Sequence, residues 1–234
     1  MTLEKGKTLE EFKVIEESKT FEETKTTIED DKIDGYVMKP REVGNSSPLG
    51  LFAFGCTTFM YALYLLQVGG ITNNRVGIGA ALFYGGLIQI LGGMWEIYSG
   101  KTFAATVSCS YGAFWMSFGV IFLPNAGIID SYNGDQAMFG KAVGCYLIAW
   151  TFFSFFMLIA SLKTTYVATL TFTFVVLEFI VLVIANFTGI ETYSRIGGGL
   201  GVCVSCGAWY MGLAQLLTKE LTYFTLPSFS SAPE

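Results

Sequence analysis

The chain has 234 residues, 52% of them hydrophobic and only 14% charged, with a formal net charge of −5. A soluble domain carries charge on about a quarter of its residues, and a nucleic-acid-binding protein needs a basic face, so this composition points away from both. Histidine is absent, which removes the commonest general base and the commonest metal ligand; no cofactor, metal site or nucleic-acid partner is expected.

The charges are unevenly placed. Residues 1–48 hold 8 Lys/Arg and 12 Asp/Glu, which is 20 of the 33 charges in the chain. Within this stretch a twelve-residue unit occurs twice, KTLEEFKVIEES at 7–18 and KTFEETKTTIED at 19–30. High charge with few apolar residues predicts a disordered cytoplasmic tail over 1–44. No apolar run follows the first Met, so no cleavable signal peptide is expected.

Six apolar runs follow, each about 20 residues long, enough to cross roughly 30 Å of hydrocarbon as a helix. The first is read as Leu49 to Val68, with Ser47 as its N-cap and Pro48 at the first helical position. The second, Val76 to Tyr98, and the third, Phe103 to Leu123, are separated by only Ser99, Gly100, Lys101 and Thr102, so they must be antiparallel neighbours. A connector rich in Pro, Asn, Gly and Asp over 124–136 leads to the fourth, Met138 to Ala160. The fifth is Val167 to Phe187; Thr188 to Ser194 are read as a loop, and the sixth is Ile196 to Leu217. The fold class is thus an all-α membrane protein with six transmembrane helices in a domain spanning 45–218, followed by a short polar cytoplasmic tail over 219–234. Lipid is its surrounding partner.

An even number of spans puts both termini on one side. Five Lys/Arg flank the membrane on that side (Lys39, Arg41, Lys101, Lys163, Lys219) and three on the other (Arg75, Lys141, Arg195), which favours cytoplasmic termini. Glycine pairs on the second helix and Gly140/Gly144 on the fourth suit close helix packing in lipid. Cys203 and Cys206 form a CxxC on the sixth helix, but with no second pair and no His they read as small packing residues.

Polar groups at membrane depth are costly unless they meet partners or line a water-filled path, and three constellations stand out. Asn45, Ser46 and Ser47 open the first helix, whose free N–H groups and dipole favour an anion; a capped helix start is the plainer alternative. Thr57 and Thr58 on the first helix, Gln89 on the second, and Thr106, Ser108, Ser110 and Tyr111 on the third offer several weak donors, as conduction requires, or ordinary interhelical hydrogen bonds. Glu178, midway along the fifth helix, is either a proton relay or a structural hydrogen-bonding group. Glu96, five residues before Lys101, reads as a structural or gating ion pair. No nucleophile–base pair is present, so an enzyme is the least favoured class.

These residues also form a recognisable pattern. Asn45-Ser46-Ser47-Pro48-Leu49-Gly50-Leu51, with Phe54-Gly55 and Thr57-Thr58, resembles the N-P-A-P-L-G-L…F-G…T-T signature of the acetate uptake transporter family, which includes bacterial succinate–acetate permeases and yeast acetate and ammonia-export membrane proteins. Phe83-Tyr84-Gly85-Gly86, Gln89, Glu96, Gly100, Thr102-Phe103 and Ser110-Tyr111-Gly112-Ala113-Phe114-Trp115 match its second block, and Trp150, Phe156-Met157 and Leu162-Lys163 fit its fourth helix. The resemblance covers about residues 45–220, and the charged N-terminal extension looks like fungal members. It departs at Ser46 and Ser47, where the family has Pro and Ala, and at Lys101, where it has Asn.

The resemblance implies a homohexamer of six-helix protomers in the plasma membrane, each protomer with its own pore for acetate and similar small monocarboxylates, working as a channel or a proton-linked permease. It also implies a hydrophobic constriction at Phe54, Tyr111 and Val175. Ammonia or ammonium export, known among fungal relatives, is the alternative transport reading, and a non-transporting acetate sensor is a third.

Overall fold

The computed structural model describes residues 44–230. The N-terminal repeat and the expectation of a disordered tail lie outside those residues, Gly44 excepted. Residues 44–230 form six long helices: α1 (Ser47–Leu65), α2 (Gly77–Tyr98), α3 (Thr102–Ile121), α4 (Gln136–Ser161), α5 (Tyr166–Thr188) and α6 (Glu191–Leu216). Each has 19 or more residues and is apolar enough to cross a membrane. Among the described residues there is no strand beyond one isolated bridge, Thr165 to Ser230.

Short connections force neighbours to run antiparallel. Between α2 and α3 the chain reverses over Ser99, Gly100 and Lys101; Gly100 has φ +75°, and the Lys101 N–H returns to the Glu96 carbonyl at 2.9 Å. This is the left-handed glycine close of a helix, which an L side chain resists. Gly189, at φ +67°, ends α5 in the same way.

Two sequence expectations are corrected here. Residues Thr188 to Ser194 are not a loop: α6 begins at Glu191, and Arg195 pairs with Glu191 at 2.6 Å across one turn. The first turn of α6 is polar, so hydropathy misses it, yet a carboxylate at a helix N-terminus and an i,i+4 pair both stabilise it. Ser47 is not the N-cap of α1. It is the first helical residue, Ser46 precedes it, and the hydroxyls of both turn to a carboxylate on α2 instead of to the helix backbone. The C-terminal segment touches the bundle as far as it is described: the Tyr166 N–H donates to the Phe229 carbonyl at 3.0 Å, and the Tyr210 hydroxyl donates to the Pro227 carbonyl at 2.9 Å.

α1 lies along α6, α2 along α3, α4 along α5, and α5 along α6. Close approach of α2 to its neighbours depends on glycine. A Cβ at Gly85 would stand 2.7 Å from the Thr57 side chain of α1, and one at Gly86 would collide with Met116 of α3. Gly85 and Gly86 lie in Phe83–Ile88, a wide turn of the π type inside α2, a device that inserts one residue without ending the helix. The space left between α1, α3, α4, α5 and α6 is filled at its centre by aromatic side chains, with Phe114 ringed by Trp115, Tyr146, Trp150 and Phe179 at centroid distances of 5.1–5.9 Å.

Candidate functional site: a cavity closed by an aromatic ring

A cavity of about 370 Å³ runs into the bundle from the end where α1 finishes and α6 starts. Its mouth is polar, with Gln67, Thr72, Asn74, Glu191 and Ser194. The Arg195 guanidinium sits beside it, donating to Glu191 at 2.6 Å and to Gln67 at 3.0 Å. Deeper in, the lining becomes aromatic and aliphatic. A pocket of this size and character, mostly apolar with a few convergent polar groups, suits a small ligand.

The lining also includes Phe54 of α1, Tyr111 of α3 and Val175 of α5. The Phe54 and Tyr111 rings lie 5.3 Å apart. Tyr111 and Val175 are buried. Three more rings hold Tyr111: Phe153 at 5.4 Å, Trp150 at 6.4 Å and Phe172 at 6.5 Å. Its hydroxyl meets Ser154 Oγ of α4 at 2.8 Å. Ring packing on several sides and a hydrogen bond at the tip fix the side chain, so the surface it presents to Phe54 is set by the scaffold.

The polar residues singled out in the sequence divide into three groups. Thr58 lines the cavity, as does Glu178. Thr57 and Gln89 are buried between α1 and α2, outside the lining; Thr57 Oγ1, Thr58 Oγ1 and Gln89 Oε1 all lack a hydrogen-bond partner among the described residues. Thr106 and Ser108 do not join them. Thr106 faces outward and donates to its own Thr102 carbonyl at 2.9 Å, and Ser108 packs against Gly50 and Gly93. The hydroxyl strip along α3 therefore does not converge on the cavity: Tyr111 turns inward and Thr106 does not.

At the other end of the bundle, a polar network joins α1, α2, α6 and the start of α3. Glu96 is fully buried, and its Oε1 accepts from Ser47 Oγ at 2.6 Å and from Ser46 Oγ at 2.9 Å. Lys101 Nζ stands 3.3 Å from Glu96 Oε2 and donates to Asn45 Oδ1 at 2.8 Å. Asn45 Nδ2 in turn donates to Gln215 at 3.2 Å. The donors that the sequence offers to a substrate anion at the start of α1 are thus engaged by the protein's own carboxylate. Lys101 is half-exposed, so solvent screens its side of the ion pair. The two serine hydroxyls depend on Glu96 as acceptor, and losing that acceptor costs stability as well. Glu96→Gln, which keeps an acceptor oxygen, should therefore lower the melting temperature in detergent less than Glu96→Ala; equal losses would show that the charge and not the hydroxyl pair matters.

Some of the residues that shape the site were not singled out from sequence. Ser154 had a signal, being a lone small polar residue in an apolar helix. Tyr61, Tyr64 and Asn186, which also line the cavity, had none, because aromatic and amide residues are common near membrane interfaces.

Comparison with known proteins agrees with this architecture. A family model described as the GPR1/FUN34/yaaH family matches residues 34–232. Ammonia transport outward protein 2 of Saccharomyces cerevisiae is 41% identical over 189 residues, covering 79% of this chain and 67% of the relative. The succinate-acetate/proton symporter SatP of Escherichia coli is 31% identical over 187 residues, covering 80% of this chain and 95% of the relative. The solved structure of the bacterial acetate channel SatP superposes with a TM-score of 0.70 at 29% identity, over 80% of this chain and 99% of the other. With six membrane-length helices, the signature motifs along them and a family match over most of its length, the chain belongs to the GPR1/FUN34/yaaH family.

Proposed function

We propose that the protein is a transporter and not an enzyme, carrying acetate and similar small monocarboxylates through a pore within each protomer. The observation that carries this reading is the cavity that reaches Phe54, Tyr111 and Val175. A gap between fixed aromatic and aliphatic side chains strips water from whatever passes, so it favours small solutes with a methyl end over hydrated inorganic ions. The similarity to SatP, named both as a succinate-acetate/proton symporter and as an acetate channel, supports the substrate. In this reading the protein is a homohexamer in the plasma membrane with cytoplasmic N- and C-termini. The Asn45–Lys101–Glu96 network would then lie at the cytoplasmic end and the open mouth at the outer end.

Labelled acetate uptake into liposomes holding the purified protein, with and without an imposed pH gradient, tests this, with protein-free vesicles subtracted for acetic acid that crosses lipid unaided. Uptake above equilibrium driven by the gradient means proton-coupled transport. Protein-dependent uptake that only equilibrates means a channel. No protein-dependent acetate flux sinks the reading.

Ammonia or ammonium export is the second reading. It is favoured by the 41% identity to an ammonia transport outward protein and by a cavity whose lining includes carboxylates but no Lys or Arg. Competition by acetate in an ammonia flux assay separates the two.

A further inference from the structure

The cavity holds an ionisable group that the pore reading leaves without a task. Glu178 projects from α5 into the cavity, and its Oε1 rests against the backbone of Gly201 on α6, where a Cβ would stand only 2.7 Å away. The absence of a side chain at Gly201 is what gives the carboxyl its place. The ion pairs among the described residues are Lys101–Glu96 and Arg195–Glu191, so Glu178 is in neither. No described residue hydrogen-bonds to it.

The groups that face it leave its charge uncompensated. α1 contributes Tyr61 and Tyr64, α3 contributes Tyr111, and α6 contributes Glu191 at the mouth. α4 contributes only Val143 and Leu147. Arg195, beside the mouth, is already held by Glu191 and Gln67, and neither it nor Arg75 or Lys141 at the same end of the bundle lines the cavity. A substrate carboxylate that reaches Thr58 and Tyr111 must pass this carboxyl in a space poor in water. Two carboxylates in such a site cannot both stay ionised; they share a proton.

We propose that Glu178 selects the charge of what the pore accepts, passing a carboxylate only while Glu178 holds its own proton, with the Glu178 carboxyl O–H donating a hydrogen bond to the carboxylate. Ionised, the same side chain repels the anion and leaves the cavity to neutral or cationic solutes. This deepens the acetate reading and rests on it. It differs from a purely structural role for Glu178 in requiring a neutral, hydrogen-bonding side chain at position 178 for anion flux.

The test is labelled acetate uptake by wild type and Glu178→Gln in proteoliposomes, with internal and external pH stepped together from mildly acidic to mildly alkaline. The acetate to acetic acid ratio is the same for both proteins at each pH, so the ratio of variant to wild-type flux isolates Glu178. The amide is always neutral and always a donor, so that ratio should rise by about tenfold or more across the range, as wild type loses the proton. Glu178→Asp should track wild type. A flat ratio with intact wild-type flux overturns this proposal alone. So does a Glu178→Gln protein that assembles normally, by size-exclusion profile, yet carries no acetate at any pH. Should Glu178→Gln not assemble, Glu178→Thr, smaller and also neutral, takes its place in the same comparison. Wild type without protein-dependent acetate flux removes the acetate reading and this proposal with it.

Discussion

Phe54→Ala should raise the ratio of succinate to acetate flux by on the order of tenfold, equivalent to about 1.4 kcal/mol off the barrier for the larger acid. The reason is geometric. Tyr111 is held by three further rings and by Ser154, and Val175 is buried in the packed face of α5. Phe54 is only partly buried and lies against Tyr111 on one side. It is therefore the member of the group whose removal enlarges the gap without unpacking a helix. Competition uptake with labelled succinate and acetate in the same vesicles measures the ratio directly. Unchanged selectivity in a variant that still carries acetate would remove Phe54 from the constriction.

Gly112→Val should cost about 3 kcal/mol or more of stability, the upper end of what overpacking does. A Cβ at position 112 would stand 2.6 Å from Ile90 Cγ1, 2.9 Å from the Gly86 carbonyl oxygen and 3.0 Å from the Ile90 nitrogen. Two of these are backbone atoms of α2, which cannot swing aside as a side chain can. The α2–α3 pair must separate. Gly199→Ala is the control: nothing lies within 4 Å of its Cβ position, and a change within about 0.5 kcal/mol is expected. Thermal unfolding in detergent, read by loss of the monodisperse peak, compares the two. Equal melting temperatures would mean that α2 and α3 can slide apart at little cost.

The number of helices and most of their ends were legible because hydrocarbon thickness sets a length that a sequence must meet. The start of α6 was not, because Glu191 to Arg195 form a polar turn that continues the helix beyond the apolar segment. The inward faces were harder still. In water, the apolar stripe of a helix tells which side is buried. In lipid both sides are apolar, so Thr106 and Tyr111 look equivalent along α3, though the first faces outward and the second is buried. Phe54 and Val175 were singled out through family likeness alone, and Tyr111 through both that likeness and its hydroxyl. Glu178 was visible from its chemistry alone, because a carboxyl halfway along an apolar helix is anomalous wherever it points. The engagement of Ser46 and Ser47 by Glu96 was hidden, since it joins residues 49 and 50 positions apart.

The wide turn at Phe83–Ile88 makes α2 a poor place for a gain or loss of a residue. One residue more or less in that turn rotates everything after it by roughly 100°. Gly92, Gly93 and Glu96 would then present themselves to the wrong neighbours, although no side chain had been altered. The 124–135 connector has no such phase to keep, so natural variation in chain length should accumulate there and stop short of the 83–88 turn.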